Sequence, residues 1–183
     1  MRIHSSALLI IDLQQGLLAA VAQPEPLLEV HRRLLSWAQQ QDLPVLCLQH
    51  DGAPDSLVPT GSLAWELDPL LNDLPVIRKA ASDGFYQTDL EPWLVSRRIG
   101  HLIVSGIKSE RCVDTTARAA VSRGLAVTLV ADGHATVDTP VLDAEAIVAF
   151  TNYNLQGFGN ARAKIEVINS EVLIHRQEAE VRS

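Results

Sequence analysis

Six short aliphatic runs punctuate the chain, at residues 7–12 (ALLIID), 44–50 (PVLCLQH), 75–79 (PVIRK), 101–106 (HLIVSG), 126–131 (AVTLVA) and 164–168 (KIEVI). Each is nearly continuous rather than alternating, which predicts strands buried on both faces, as in a parallel sheet. Longer segments of helical period separate them. Leu27, Val30, His31, Leu34, Leu35 and Ala38 share one helix face behind Pro24 and Pro26. Thr88, followed by Glu91, has capping-box form and opens a helix carrying Leu90, Leu94 and Val95. Ser109 is positioned to cap a helix with a stripe of Val113, Thr116, Ala117 and Ala120, and a last helix runs from about Pro140 to Leu155 with Ala144, Ile147, Val148 and Leu155 inward.

Strands alternating with helices predict an α/β fold: one three-layer α/β/α domain, residues 1–183, around a six-stranded, mostly parallel sheet. The longest connection, residues 51–74, is rich in Gly, Pro, Asp and Ser and follows a strand, so it is expected to cover a site.

Composition narrows the function classes. The 183 residues carry a net charge of −7 with no basic stripe, which argues against nucleic acid as a partner. No apolar stretch approaches the roughly 20 residues of a membrane helix, and MRIHSSALLIID fits a signal peptide poorly. Two cysteines, Cys47 and Cys112, are too few for a disulfide framework and lack zinc-site spacing. A cytoplasmic enzyme acting on a small molecule, with no cofactor and no metal, is the expectation. His50, Asp51 and Asp55, the candidate ligands near the site, do not have the spacing of a coordination shell.

Ligands of open parallel sheets bind beyond the carboxyl ends of the strands, where the order of connections reverses. Asp12, His50 and Lys79 close the first three runs, and Cys112 follows the fourth. Singly, each has an ordinary reading: a cap, a backbone contact, a surface cation, a small core residue. Together they meet the requirements of nucleophilic catalysis. A cysteine in the first turn of a helix, near an ammonium, is favoured as thiolate, and a carboxylate can carry the proton. Free N–H groups at the helix start are expected to bind an oxyanion. Trp65 and Phe85 sit near loops that could wall a pocket.

Four stretches, ALLIIDLQQGL, QHDG with GSLAWELDPLL, VIRKAASDGFYQTDLEPWL and SGIKSERCVDTTARAAVSRGLAVTLVADGHAT, resemble the isochorismatase-like cysteine hydrolase superfamily over nearly the whole chain. The nearest branch resembles streptothricin hydrolase and uncharacterised cysteine hydrolases. The resemblance implies strand order 3-2-1-4-5-6, Asp12 as acid/base, Lys79 as electrostatic partner and Cys112 as nucleophile in a catalytic triad. It also implies an oxyanion hole of the Lys108 and Cys112 N–H groups, a non-proline cis peptide at 107–108, and a homo-oligomer. Gln14, His50, Trp65 and Phe85 are the substrate-binding candidates. Metal-dependent nicotinamidases of this superfamily have an Asp-x-His pair where this chain has Asp51, Gly52 and Ala53. Where the branch carries a His-His-Asn run, Phe150, Thr151 and Asn152 stand here. The implied reaction is amidohydrolase cleavage of a non-peptide C–N bond through a thioester. Isochorismatase-type ether hydrolysis and a catalytically idle binding protein of the same fold are the alternatives.

Overall fold

The computed structural model describes residues 6–181, so the start of the segment read for a signal peptide lies outside the described residues. Six strands, β1 (Ser6–Ile11), β2 (Val45–His50), β3 (Val76–Lys79), β4 (His101–Ile107), β5 (Ala126–Ala135) and β6 (Ile165–Ile168), form the central sheet. Its order is β3-β2-β1-β4-β5-β6, and every neighbouring pair is parallel. β1 is buried at every position because strands flank it and helices cover both its faces. Leu8 and Ile10 enter one core and Ala7, Leu9 and Ile11 the other, the period-two consequence of the pleat.

The first core is completed by α2 (Pro24–Gln40) and by Leu173 of α6 (Ser170–Val181). α2 starts with Pro at its first position, where no N–H is missed, and buries Leu27, Val30, His31, Leu34, Trp37 and Ala38. Each large apolar side chain fully buried in this way contributes roughly 1.5–3 kcal/mol. The opposite core takes Leu90 and Leu94 of α3 (Leu90–Ser96), Ala117, Ala120 and Val121 of α4 (Asp114–Ser122) and Leu155 of α5 (Ala144–Leu155). The small side chains of α4 let it lie close to the sheet. A short α1 (Gln15–Ala20), not evident in the sequence pattern, follows β1. No helix among the described residues is long and apolar enough to cross a membrane.

Several local expectations change. Asp89 rather than Thr88 takes the cap position of α3: the Thr88 hydroxyl donates to the Gly84 carbonyl at 2.6 Å and accepts the Leu90 N–H at 3.3 Å, one residue outside the cap, and Val95 is exposed. α5 begins at Ala144 because Asp143 accepts from the Ala146 N–H at 2.7 Å, while Thr139 bonds the turn before it. Its buried face is Ile147, Thr151 and Leu155, with Ala144 and Val148 partly exposed. β5 runs on to Ala135 because, after an irregularity, the chain pairs again with β4, His134 opposite Gly106 and Ala135 opposite Ile107. Asp132-Gly133 reads as a strand end, yet only the neighbouring strand decides that pairing resumes.

Candidate active site

β1 and β4 are adjacent although distant in sequence, so the switch point of the sheet lies between the loops that follow them. Asp12 leaves β1 with φ 50°, in the left-handed region where Asp is among the better tolerated residues. At the facing end of β4, Gly106 has φ 127°, and a Cβ there would collide with the Ile11 carbonyl. Glycine thus allows β1 and β4 to close together directly below the site. The Ile107–Lys108 peptide is cis. Residues Ser109–Val113 form a π-helical turn that runs into α4, and Cys112 lies within it. Ser109 is therefore not the cap expected from sequence; Lys108 precedes the turn, and its carbonyl accepts from the Arg111 and Val113 N–H groups.

Lys79 is 2% exposed and its Nζ sits among four acceptors. It lies 2.7 Å from Asp12 Oδ2, 3.1 Å from the Ala81 carbonyl, 3.2 Å from Cys112 Sγ and 3.3 Å from His50 Nδ1. Because the ammonium only donates, His50 Nδ1 is the acceptor in that contact, and the imidazole is the neutral tautomer with its proton on Nε2. Burial lowers the His50 pKa and Lys79 adds to this, consistent with that assignment. Asp12 is fully buried; Oδ2 takes the ammonium, while Oδ1 has no hydrogen-bond partner. Desolvation raises the Asp12 pKa against the opposing charge of Lys79.

The thiol corrects one expectation. Burial, followed by the negative charge of Asp12, pushes the Cys112 pKa up to about 11, with Lys79 opposing. Desolvation thus outweighs the ammonium, and Cys112 rests as the thiol rather than the thiolate expected from helix position. Cys47, in the core of β2, is pushed up to about 12 by burial alone.

A cavity of about 300 Å³ opens over Cys112, at the small end of the range for ligand pockets. Asp12, His50, Lys108, Arg111, Ser82, Leu17 and three residues of the long connection, Ser56, Leu57 and Val58, line it with the cysteine. The connection covers the site because α1 grips it: a Cβ on Gly16 would strike the Leu57 carbonyl, so glycine is required for the approach. Gln14 is buried and uses its amide to fasten this cover, bonding the His50 N–H and carbonyl and the Trp65 carbonyl at 2.8–3.0 Å. Trp65 turns its indole N–H to Asp51 at 3.0 Å, and Phe85 is packed in the core beneath Arg123. Of the four substrate-binding candidates, only His50 therefore lines the cavity. Gln14, Trp65 and Phe85 hold its surroundings, because each finds a backbone, side-chain or core partner that sequence spacing does not show.

Ligand atoms of Asp12, His50 and Cys112 lie within 4.8 Å of one another, a grouping capable of holding a metal. Lys79 Nζ is within 3.3 Å of all three, so the protein's own cation occupies the position between them. The Asp-x-His position used by the metal-dependent branch does not fit either. Asp51 is committed to Arg78 and Trp65, and residue 53 is alanine.

Sequence inspection also missed a buried brace behind the turn that carries Cys112. Asn152 donates its amide N–H to the Ala131 carbonyl at 3.0 Å, which directs its oxygen to His134 Nε2 at 2.9 Å. His134 Nδ1 is then the acceptor for the Ser109 hydroxyl at 2.7 Å. Burial lowers the His134 pKa and keeps this neutral arrangement. The irregularity in β5 brings His134 opposite Gly106; the sequence hints were the polar Asp-Gly-His interruption of a strand and Asn152 at the place of the His-His-Asn run.

Comparison with known proteins adds an independent line. A family model described as Isochorismatase domain matches residues 6–156. A streptothricin hydrolase of Streptomyces noursei is 38% identical over 140 residues, covering 73% of this chain and 56% of that protein. The chain thus spans about half the length of the curated relatives it matches first. An uncharacterized isochorismatase family protein of Bacillus subtilis (strain 168) is 29% identical, with 76% of this chain and 82% of that protein covered. A solved cysteine hydrolase from Pseudomonas syringae pv. phaseolicola 1448A superposes with a TM-score of 0.86 at 21% identity, over 98% of this chain and 95% of that one, a likeness of fold.

Proposed function

Because the chain belongs to the isochorismatase family, we propose that it is a hydrolase that opens the C–N bond of a small amide-like substrate through a thioester on Cys112. The observation that carries this reading is the position of Lys79 Nζ, 2.7 Å from Asp12 Oδ2 and 3.2 Å from Cys112 Sγ, two residues that line a cavity. A nucleophile, a proton carrier and a fixed positive charge are thereby held in one place, largely shielded from water.

Asp12 Oδ1, buried and without a partner, accepts the thiol proton as sulfur bonds to the carbonyl carbon and the carbonyl π pair moves to oxygen. The raised Asp12 pKa narrows the gap to the thiol and makes this transfer less uphill. Backbone N–H groups of Lys108 and Cys112 receive the oxyanion. Its collapse breaks the C–N bond, and Asp12 returns the proton to the departing amine. Water then gives a proton to Asp12 and attacks the thioester. Expulsion of sulfur, which recovers that proton, releases the acid. Lys79 holds the carboxylate in place and balances the negative charge that passes from oxygen to sulfur. Free cysteines at 47 and 112 suit this chemistry in a reducing cytoplasm.

The test is a screen of small amides and carbamoyl compounds with mass spectrometry of the intact protein. An acyl adduct mapping to Cys112, together with loss of turnover in a folded Cys112→Ala variant, is the expected result. Full activity in that variant overturns the covalent route and leaves Asp12 acting without the sulfur, as in ether hydrolysis.

A further inference from the structure

The residues that carry the chemistry are close to neutral as a set. Asp12 is paired with Lys79, His50 is neutral and Cys112 rests as the thiol. The remaining charged residues lining the cavity are Lys108 and Arg111, both cations. Lys108 has no ion-pair partner among the described residues. Arg111 approaches only its chain neighbour Glu110, at 3.9 Å, with the guanidinium side chain 70% exposed. Such a contact contributes little and is readily exchanged for a better partner. Other arginines are held in ion pairs, Arg78 with Asp51, Arg118 with Asp114, and Arg32 with Glu25 and Glu29, whereas Arg98 and Arg162, away from the cavity, have none among the described residues. A chain of net charge −7 thus places two loosely committed cations at its candidate site, one on each side of the first turn residues that lead to the nucleophile.

The rest of the lining is apolar or already satisfied. Leu17, Leu57 and Val58 are hydrophobic, and the Ser56 hydroxyl donates to the Ala53 carbonyl at 2.7 Å and receives the Val58 N–H at 3.3 Å. We infer that the substrate is a small amide bearing an anionic group, whose negative end is received by Lys108 and Arg111 while its carbonyl faces Cys112. This deepens the hydrolase reading and rests on Cys112 being the nucleophile. Both side chains are long and flexible, so either can meet an anion at the cavity by side-chain rotation alone, and arginine can engage a carboxylate through two N–H groups. A polycationic substrate would face like charge at the same place, which is how such a site also rejects.

Two alkylating reagents of nearly equal size, iodoacetate and iodoacetamide, read this preference without a substrate. In both, sulfur bonds to the methylene carbon as iodide leaves; one carries a carboxylate and the other an amide. Peptide-resolved mass spectrometry separates Cys112 from the buried Cys47. At one pH the thiolate fraction is common to both reagents, so the ratio of their rates reports the local field. The ratio at Cys112 in the folded protein is expected to exceed that of the same cysteine in urea-unfolded protein by about tenfold at low salt. It should fall toward the unfolded value in about 0.5 M NaCl, which screens exposed charges, and in Lys108→Met/Arg111→Met. Arg111→Met alone, which leaves the residue at the cis peptide untouched, should give a partial fall. A folded ratio at or below the unfolded one, with iodoacetamide still reacting at Cys112, overturns the anionic substrate and leaves the hydrolase reading standing. A Cys112 inert to both reagents even at alkaline pH, where its thiolate fraction rises, overturns the nucleophile and this inference together.

Discussion

Lys79 Nζ lies 2.7 Å from Asp12 Oδ2, and both side chains are at most 1% exposed. Such a pair is weak evidence for stability, since desolvation of two charges offsets their attraction, but removing one partner strands the other. Lys79→Met is therefore expected to destabilise the fold by about 3–5 kcal/mol in urea denaturation. It should also reduce kcat/KM on the order of 10²–10³-fold, by analogy with loss of an oxyanion donor. Adding Asp12→Asn should recover much of the stability and none of the activity. A Lys79→Met enzyme within about twofold of the parent contradicts the electrostatic role assigned here.

The thiol should titrate late. With the Cys112 pKa pushed up to about 11, its iodoacetamide rate is expected to climb with pH through the neutral and mildly alkaline range without levelling off. Asp12 contributes to that rise, so Asp12→Asn should bring the pKa down and make the cysteine more reactive to alkylation while abolishing turnover. A plateau near neutral pH in the parent would mean a resting thiolate and a different proton inventory.

Removing Lys79 should also uncover a metal site. Asp12, His50 and Cys112 keep ligand atoms within 4.8 Å once the ammonium between them is gone, and oxygen, nitrogen and sulfur ligands of this kind suit Zn²⁺. Titration calorimetry is expected to show Lys79→Ala binding Zn²⁺ at least about tenfold more tightly than the parent, whose activity should be unaffected by a chelator. Equal affinities would show that the ammonium is not what fills the cluster.

Acid should weaken the fold through two buried histidines that do not line the cavity. His31 is bonded to the Leu27 carbonyl and Ser105, and His101 to Ser6 and Thr128. Burial lowers both pKa values from 6.5 to about 4. The unfolded chain therefore binds more protons than the folded one between those values, and stability falls as pH drops from about 6.5 to about 4. The loss is on the order of 3 kcal/mol for each group at full effect. Urea midpoints measured across that range, in the parent and in His31→Gln, check the sign: the variant should show the shallower pH dependence.

The strands, their parallel arrangement and the polar residues at their ends were legible in the chain itself. Uninterrupted aliphatic runs have one comfortable environment, a sheet covered on both sides, and a strand that ends in Asp, His or Lys must place that residue at the rim. Asp12, Lys79 and Cys112 could be nominated from those positions and from the family motifs. What they do to one another could not. That Lys79 is buried among four acceptors, that desolvation raises Cys112 rather than helix position lowering it, and that Asp12 Oδ1 is left unpaired are outcomes of packing. The same holds for Gln14, Trp65 and Phe85, which have the residue types of a binding pocket but found partners in the cover and the core. Local sequence sets which backbone states and faces are available. Distances between residues far apart in the chain, and the water excluded between them, exist only once the sheet brings β1, β3 and β4 into register, and it is those distances that decide which side chains share a proton.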